Sequence, residues 1–146
     1  MTLEDEARIE AACIRLQQRY GTLADRQDPK FRELFTTDAC ITLPEYPPFA
    51  GIETIMGGQA QWRASGTVMR HVCTNFTIEV IDADNATGLC YLMVFNRAAT
   101  PEPPAAPPQS LPVSVGEFHD TFVRQDGKWL IKSRVLHRIF RGAAAA

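Results

Sequence analysis

The sequence predicts an α+β fold in which a curved, mostly antiparallel sheet wraps three N-terminal helices as a cone-shaped α+β barrel. Two observations carry that reading. Apolar residues recur at three-and-four spacing in the N-terminal part, and after residue 66 they give way to long runs rich in β-branched and aromatic residues. Helices first and strands afterwards is the α+β order. A chain of 146 residues, 45% hydrophobic and 22% charged, closes one core, so residues 1–146 are read as a single domain.

Each element has its own signal. From residue 3 to about residue 24, Ile9, Cys13, Leu16, Tyr20 and Leu23 fall on one helical face, Thr2 with Asp5 offers a capping start, and Gly21 weakens the last turn. Asp28-Pro29 restarts a helix with an aspartate cap and a proline at the first position, predicting a second helix from Pro29 to about Phe35. Ala39–Leu43 reads as a short strand, ended by Pro44, Pro47 and Pro48. Residues 52–64 read as the third helix, with Gly57 and Gly58 weak points in its middle. Four long strands follow, at 68–81, 86–96, 113–124 and 128–140, with turns at 82–85 and at Gln125-Asp126-Gly127. Residues 100–112 hold six of the ten prolines and are expected to form a Pro-rich loop at a sheet edge. Residues 142–146 are expected to form a flexible tail. Three helices inside a strongly curved sheet leave a cone with an open mouth, and that mouth is where a pocket is expected.

Composition excludes several classes. A formal charge of −2 lacks the basic face that a nucleic-acid binder needs, so no nucleic-acid partner is expected. No apolar run approaches the roughly 20 residues that span a bilayer, so no membrane partner is expected. The acidic, amphipathic start MTLEDEARIE does not read as a signal peptide. Cys13, Cys40, Cys73 and Cys90 are scattered in apolar surroundings without metal-ligand spacing, which suits free thiols and a cytoplasmic setting.

Histidine is scarce: His71, His119 and His137. Alternation along the first long strand puts Met69, His71, Cys73 and Asn75 on one face and Val72, Phe76, Ile78 and Val80 on the other. On the last strand it puts His137 inward with Trp129 and Ile131, and Arg134 outward with Leu136 and Arg138, unless a bulge shifts the phase. No two histidines share an HxH or HxxxH spacing, so no metal site is expected. Asp25 lies beyond the last helical turn, about 140° around from Tyr20 if the helix continued, so periodicity alone does not bring it inside. Tyr20, Phe31, Phe35, Phe49, Trp62 and Phe118 read first as core. No Walker loop, GxGxxG or GxSxG occurs.

The order of Asp25-x-x-Asp28, Leu34-Phe35-Thr-x-Asp38-Ala39, Gly51-Ile52, His71-x-x-Thr74-Asn75 and Asp126-Gly127-Lys128-Trp129 resembles the SnoaL-like family. That family belongs to the nuclear-transport-factor-2-like superfamily of α+β cones, and the likeness spans nearly the whole chain. Within the superfamily the pattern is most similar to scytalone dehydratase and hexachlorocyclohexane dehydrochlorinase, which pair an aspartate after the first helix with a histidine on the first long strand. Asp25 and His71 match those positions, Arg134 matches a pocket arginine, and Asn75 matches the Thr-Asn pair after the histidine. Two departures stand out: Cys90 occupies the place of the dehydratase's second histidine, and Tyr20 that of the dehydrochlorinase's lysine.

The resemblance implies a cofactor-independent, dehydratase-like lyase or isomerase. Asp25 would orient His71, and His71 would remove a proton from an activated carbon. The expected substrate contacts are Tyr20, Asn75, Phe118, Arg134 and His137, around a small, mostly apolar organic substrate. Other implied readings are a non-catalytic ligand-binding or assembly domain on the same fold, and a polyketide-type cyclase or hydroxylase. A homodimer or homotrimer is expected.

Overall fold

The computed structural model describes residues 1–99, 106 and 109–142. Its elements are α1 (Leu3–Arg26), a 3₁₀ turn (Pro29–Leu34), β1 (Phe35–Thr42), β2 (Phe49–Ala50), α2 (Ile52–Ser65), β3 (Val68–Val80), β4 (Asn85–Arg97), β5 (Ser114–Gln125) and β6 (Lys128–Arg141). The six strands form one sheet in the order β2-β1-β6-β5-β4-β3. Among the described residues only the β1–β6 pairing is parallel. The α+β class is as expected, with the cone built on two α-helices and one 3₁₀ turn rather than three helices.

The helix starts follow the sequence. Thr2 and Asp5 form a reciprocal capping box, and the Asp28 carboxylate accepts from the Lys30 N–H. The stops differ. α1 continues through Gly21 to Arg26 and ends at Gln27 in a left-handed conformation, its N–H bonding back to Ala24 and Leu23. The segment after Pro29 is only a 3₁₀ turn, because Phe35 is drawn into the sheet: β1 begins there, opposite Ile131, four residues before the expected Ala39. The Asp126-Gly127 hairpin forms as predicted, both residues at positive φ.

Curvature comes from bulges, and the bulges decide which side chains face inward. In β3 the register slips between Thr74 and Thr77, with Asn75 at φ 53°. Met69, His71 and Cys73 therefore share the inner face with Phe76, Ile78 and Val80, while Val72 is exposed. In β6 the register slips opposite Thr121/Phe122, placing the extra residue between Ile131 and Ser133. The inner face then runs Ile131, Arg134, Leu136, Arg138, and the outer face takes His137.

The core gathers Cys13, Leu16 and Tyr20 of α1 with Phe31, Leu34, Phe35, Cys90, Leu92, Phe118, Phe122 and Ile131. Tyr20 makes edge or tilted contacts with Phe31, Phe35 and Phe118, at centroid distances of 5.1, 6.2 and 5.4 Å. Among the described residues no helix is long and apolar enough to cross a membrane. The expected Pro-rich loop falls largely outside the described residues, at 100–105, 107 and 108, as does the expected tail from residue 143.

Candidate active site

Gly21 sets the site. A Cβ at this position would lie 3.1 Å from the His71 Cβ and 3.2 Å from the His71 carbonyl oxygen, so the last turns of α1 press against β3 at His71. Asp25 stands one turn beyond Gly21 on the same helical face. Its carboxylate meets His71 twice: Oδ2 accepts from the backbone N–H at 2.9 Å, and Oδ1 lies 2.6 Å from Nδ1. Asp25 is thus inside the helix and inside the fold. Periodicity measured from Tyr20 does not bring it inside, because the face that meets β3 is the Gly21 face.

With both carboxylate oxygens acting as acceptors, the imidazole proton is fixed on Nδ1, and the Nε2 lone pair is left for a substrate. The His71 and Asp25 side chains are 12% and 9% exposed, and of the two only His71 lines the cavity. The Tyr20 ring stands edge-on to the imidazole at 6.0 Å.

His71 opens on a cavity of about 180 Å³, lined by Tyr20, Ala24, Trp62, Met69, Leu92, Val94, Phe118 and Leu136 among others, and by the polar residues Gln59, Asn96, Ser114 and Arg138. Leu43, Pro44 and Tyr46, from the segment between β1 and β2, cover part of it. Burial pushes the Tyr20 hydroxyl up to about 12, so it remains a proton donor across the neutral range.

Beneath Tyr20 and Phe118 lies a second polar cluster. Arg134 is fully buried, its guanidinium carbon 4.1 Å from the centroids of both rings. Its Nε and Nη2 donate to the two Asp120 oxygens at 2.7 Å each, and Gln17 Nε2 donates to Asp120 Oδ2 at 2.9 Å. Burial works against the charge of Arg134, but the Asp120 carboxylate more than offsets it and holds the guanidinium pKa above its ordinary value. Cys73 and Cys90 approach one another on the neighbouring wall. The Cys90 hydrogen bond lowers the Cys73 thiol, and the same contact together with burial raises Cys90, which makes Cys90 a poor proton donor.

The structure brings together Asp25, His71, Tyr20 and Phe118, and separates three other candidates. Asn75 is exposed at the β3 bulge, where its Oδ1 accepts from the Thr74 hydroxyl, so it does not reach the cavity. His137 is exposed on the outer face, 4.5 Å from the His119 ring, because the β6 bulge turns it out. Arg134 does point inward, against simple alternation, yet it stops behind the rings of Tyr20 and Phe118 rather than lining the cavity. The residues the sequence reading missed are Gln59, Asn96, Ser114 and Arg138. For Arg138 a signal existed, since it shares the phase of Arg134 and Leu136.

A family model described as a SnoaL-like domain matches residues 5–135. No curated protein matches the sequence. Among solved structures, a putative scytalone dehydratase from Novosphingobium aromaticivorans is similar at 16% identity, covering 99% of this chain and 93% of that one, with a TM-score of 0.83. A hexachlorocyclohexane dehydrochlorinase (LinA) of type 2 is similar at 16% identity, 99% and 94% coverage, and a TM-score of 0.82. A protein of unknown function from Mycobacterium tuberculosis is similar at 28% identity, 94% and 76% coverage, and a TM-score of 0.76.

Proposed function

The chain belongs to the SnoaL-like domain family, with the nuclear-transport-factor-2-like cone fold, and on that premise we propose that it is a cofactor-independent lyase or isomerase of dehydratase type. The observation that carries this reading is the double contact between Asp25 and His71 at the wall of a largely apolar cavity. A histidine buried only for structure would have both ring nitrogens hydrogen-bonded. Here the carboxylate fixes both the backbone and the ring of His71 and leaves the second ring nitrogen for the cavity.

In this mechanism Nε2 takes a proton from a carbon made acidic by an adjacent carbonyl or leaving group. Asp25 stabilises the imidazolium that forms, and the Tyr20 hydroxyl donates to the oxygen that gains charge. The electron pair left on carbon expels hydroxide or halide from the neighbouring carbon, giving an alkene. Alternatively, the imidazolium returns the proton at another carbon, giving an isomer. A small, mostly apolar organic substrate fits the cavity, since an apolar space of about 150 Å³ already accepts one benzene ring.

The test is carbon–hydrogen exchange in D₂O, followed by NMR across a panel of cyclic enones, β-hydroxy ketones and halogenated cycloalkanes. The wild type should exchange or eliminate at least one class. His71→Ala should slow that reaction about 10²- to 10⁴-fold, the usual contribution of a placed general base. An equal rate in His71→Ala would remove the base role and leave a ligand-binding domain.

A further inference from the structure

One charged side chain reaches the cavity without a place in the mechanism. Arg138 lines it from β6, with its side chain 22% exposed, where the cavity meets solvent beside Tyr46. Its Nε donates to the Ser114 hydroxyl at 3.2 Å, which fixes the plane of the guanidinium. Its Nη1 reaches Glu45 Oε1 only at 3.3 Å, and Nη2 has no hydrogen-bond partner among the described residues. Arg134, four residues earlier on the same strand, differs in its partner and its access: Asp120 is buried with it, at 2.7 Å in both contacts, and neither side chain is exposed.

We propose that Arg138 is a specificity-determining residue that binds a carboxylate carried by the substrate, while His71 addresses a carbon deeper in the cavity. The proposal rests on the base reading above and adds the substrate class: a single-ring or similarly small compound, apolar in its body, with one carboxylate at the solvent end. Three features favour a carboxylate over a neutral oxygen. The guanidinium fork matches two carboxylate oxygens, and bonds between ionised partners are about twice as strong as neutral ones. The protein's own carboxylate already rests there, since Glu45 contacts both Arg138 and Arg141. Glu45 is 57% exposed and its bond to Arg138 is long, so it is a weak tenant that an incoming anion displaces at little cost. Arg141 brings a second guanidinium to that single carboxylate, so the three-residue cluster beside Arg138 carries a net positive charge, which draws anions toward it.

The rival role for Arg138 is a latch that holds the Leu43–Phe49 segment through Glu45, and the experiment separates the two. Binding of phenylacetate and of its neutral isostere phenylacetamide is measured by calorimetry at pH 7, with no turnover required. The wild type should prefer phenylacetate by about 10-fold or more, the worth of a hydrogen-bonded charge pair. Arg138→Gln should reduce that preference below about 2-fold, and Arg138→Lys, which keeps the charge but loses the fork, should fall between them. Glu45→Gln should keep or increase the preference, because it removes the competitor. Equal binding of both probes by the wild type, or a preference that survives in Arg138→Gln, overturns the proposal. So does a Glu45→Gln variant that loses the preference together with Arg138→Gln, the result a latch would give. His71→Ala should retain the preference, so the base reading and the carboxylate reading fail separately.

Discussion

Asp120 and Asp25 are both withdrawn from water inside the cone, and the number of donors each meets separates their roles. Asp120 has no exposed side-chain surface and accepts three hydrogen bonds, two from Arg134 and one from Gln17, beneath the rings of Tyr20 and Phe118. Asp25 keeps 9% exposure and gives both its oxygens to one residue, whose second ring nitrogen remains uncommitted. The closed pair commits both Asp120 oxygens and the Arg134 Nε and Nη2 to the fold, and the one Arg134 nitrogen without a partner among the described residues, Nη1, is a donor buried away from the cavity. The open pair holds a proton acceptor ready at a cavity wall. Burial and a short contact are common to both, so neither marks a reactive site by itself. A proton acceptor left free at a cavity wall does.

The largest expected effect comes from breaking the closed pair. Arg134→Met leaves a carboxylate buried against only the Gln17 amide, and removing one member of such a pair typically costs about 3–5 kcal/mol. Urea unfolding at pH 7 should show that loss. Replacing both partners, as Arg134→Met with Asp120→Leu, should recover much of it, because the uncompensated charge is then gone. A single variant that unfolds at the wild-type urea concentration would mean that Asp120 is solvated after all, and the contrast between the two aspartates would lose its basis.

Next in size is Tyr20, the residue shared by both pairs. Burial raises its hydroxyl from an ordinary 10.0 to about 12. Below pH 10 the phenol is protonated folded or unfolded. As pH rises toward 12 the unfolded chain releases the proton while the folded one holds it, so stability falls through that window. Two pH units at about 1.4 kcal/mol each make a loss of roughly 3 kcal/mol by pH 12. Tyr20→Phe should lack that slope while remaining folded at pH 7. Cys13, whose thiol burial also pushes up to about 12, titrates in both proteins and cancels from the difference. Identical alkaline slopes in the two proteins would place the Tyr20 hydroxyl in contact with solvent.

The same contrast explains what was legible in the sequence. Helix starts were, because Thr2, Asp5, Asp28 and Pro29 act within a few residues of themselves. The existence of five of the six described strands was too, the two-residue β2 being the exception, and so was the Asp126-Gly127 turn. The inner face of β6 was not, because one extra residue between Ile131 and Ser133 exchanges Arg134 for His137, and a bulge is set by the neighbouring strand rather than by local composition. Asn75 was misplaced in the same way, although an asparagine within a strand is a residue that tolerates the left-handed backbone a bulge uses. Asp25 and His71 were paired by family resemblance and not by periodicity. The physical cue was Gly21, read as a weak helical turn when it marks the close approach of α1 to β3. Arg138 followed from Arg134 once the phase was known. The polar atoms of Gln59, Asn96 and Ser114 carried no sequence signal, since each is an ordinary residue whose importance lies in where the sheet curls.

Asp25→Asn should have the smallest effect on stability and is the sharpest probe of the open pair. The amide oxygen can still accept one bond from His71, so unfolding should shift by about 1 kcal/mol, the worth of one hydrogen bond. The effect on proton transfer should be much larger. Whichever way the amide turns, no carboxylate remains to stabilise the imidazolium as it forms. If its oxygen keeps the backbone N–H, the amide nitrogen meets Nδ1 as a donor and drives the ring proton to Nε2, the atom meant to act as base. Stability near wild type with exchange activity reduced as far as in His71→Ala is the outcome that an open pair requires. A variant that unfolds as readily as Arg134→Met would make Asp25 a second closed pair, with His71 as its structural partner. The distinction turns on a single atom, Nε2. A closed pair has no use for its lone pair, whereas an open one loses its chemistry when that nitrogen becomes protonated.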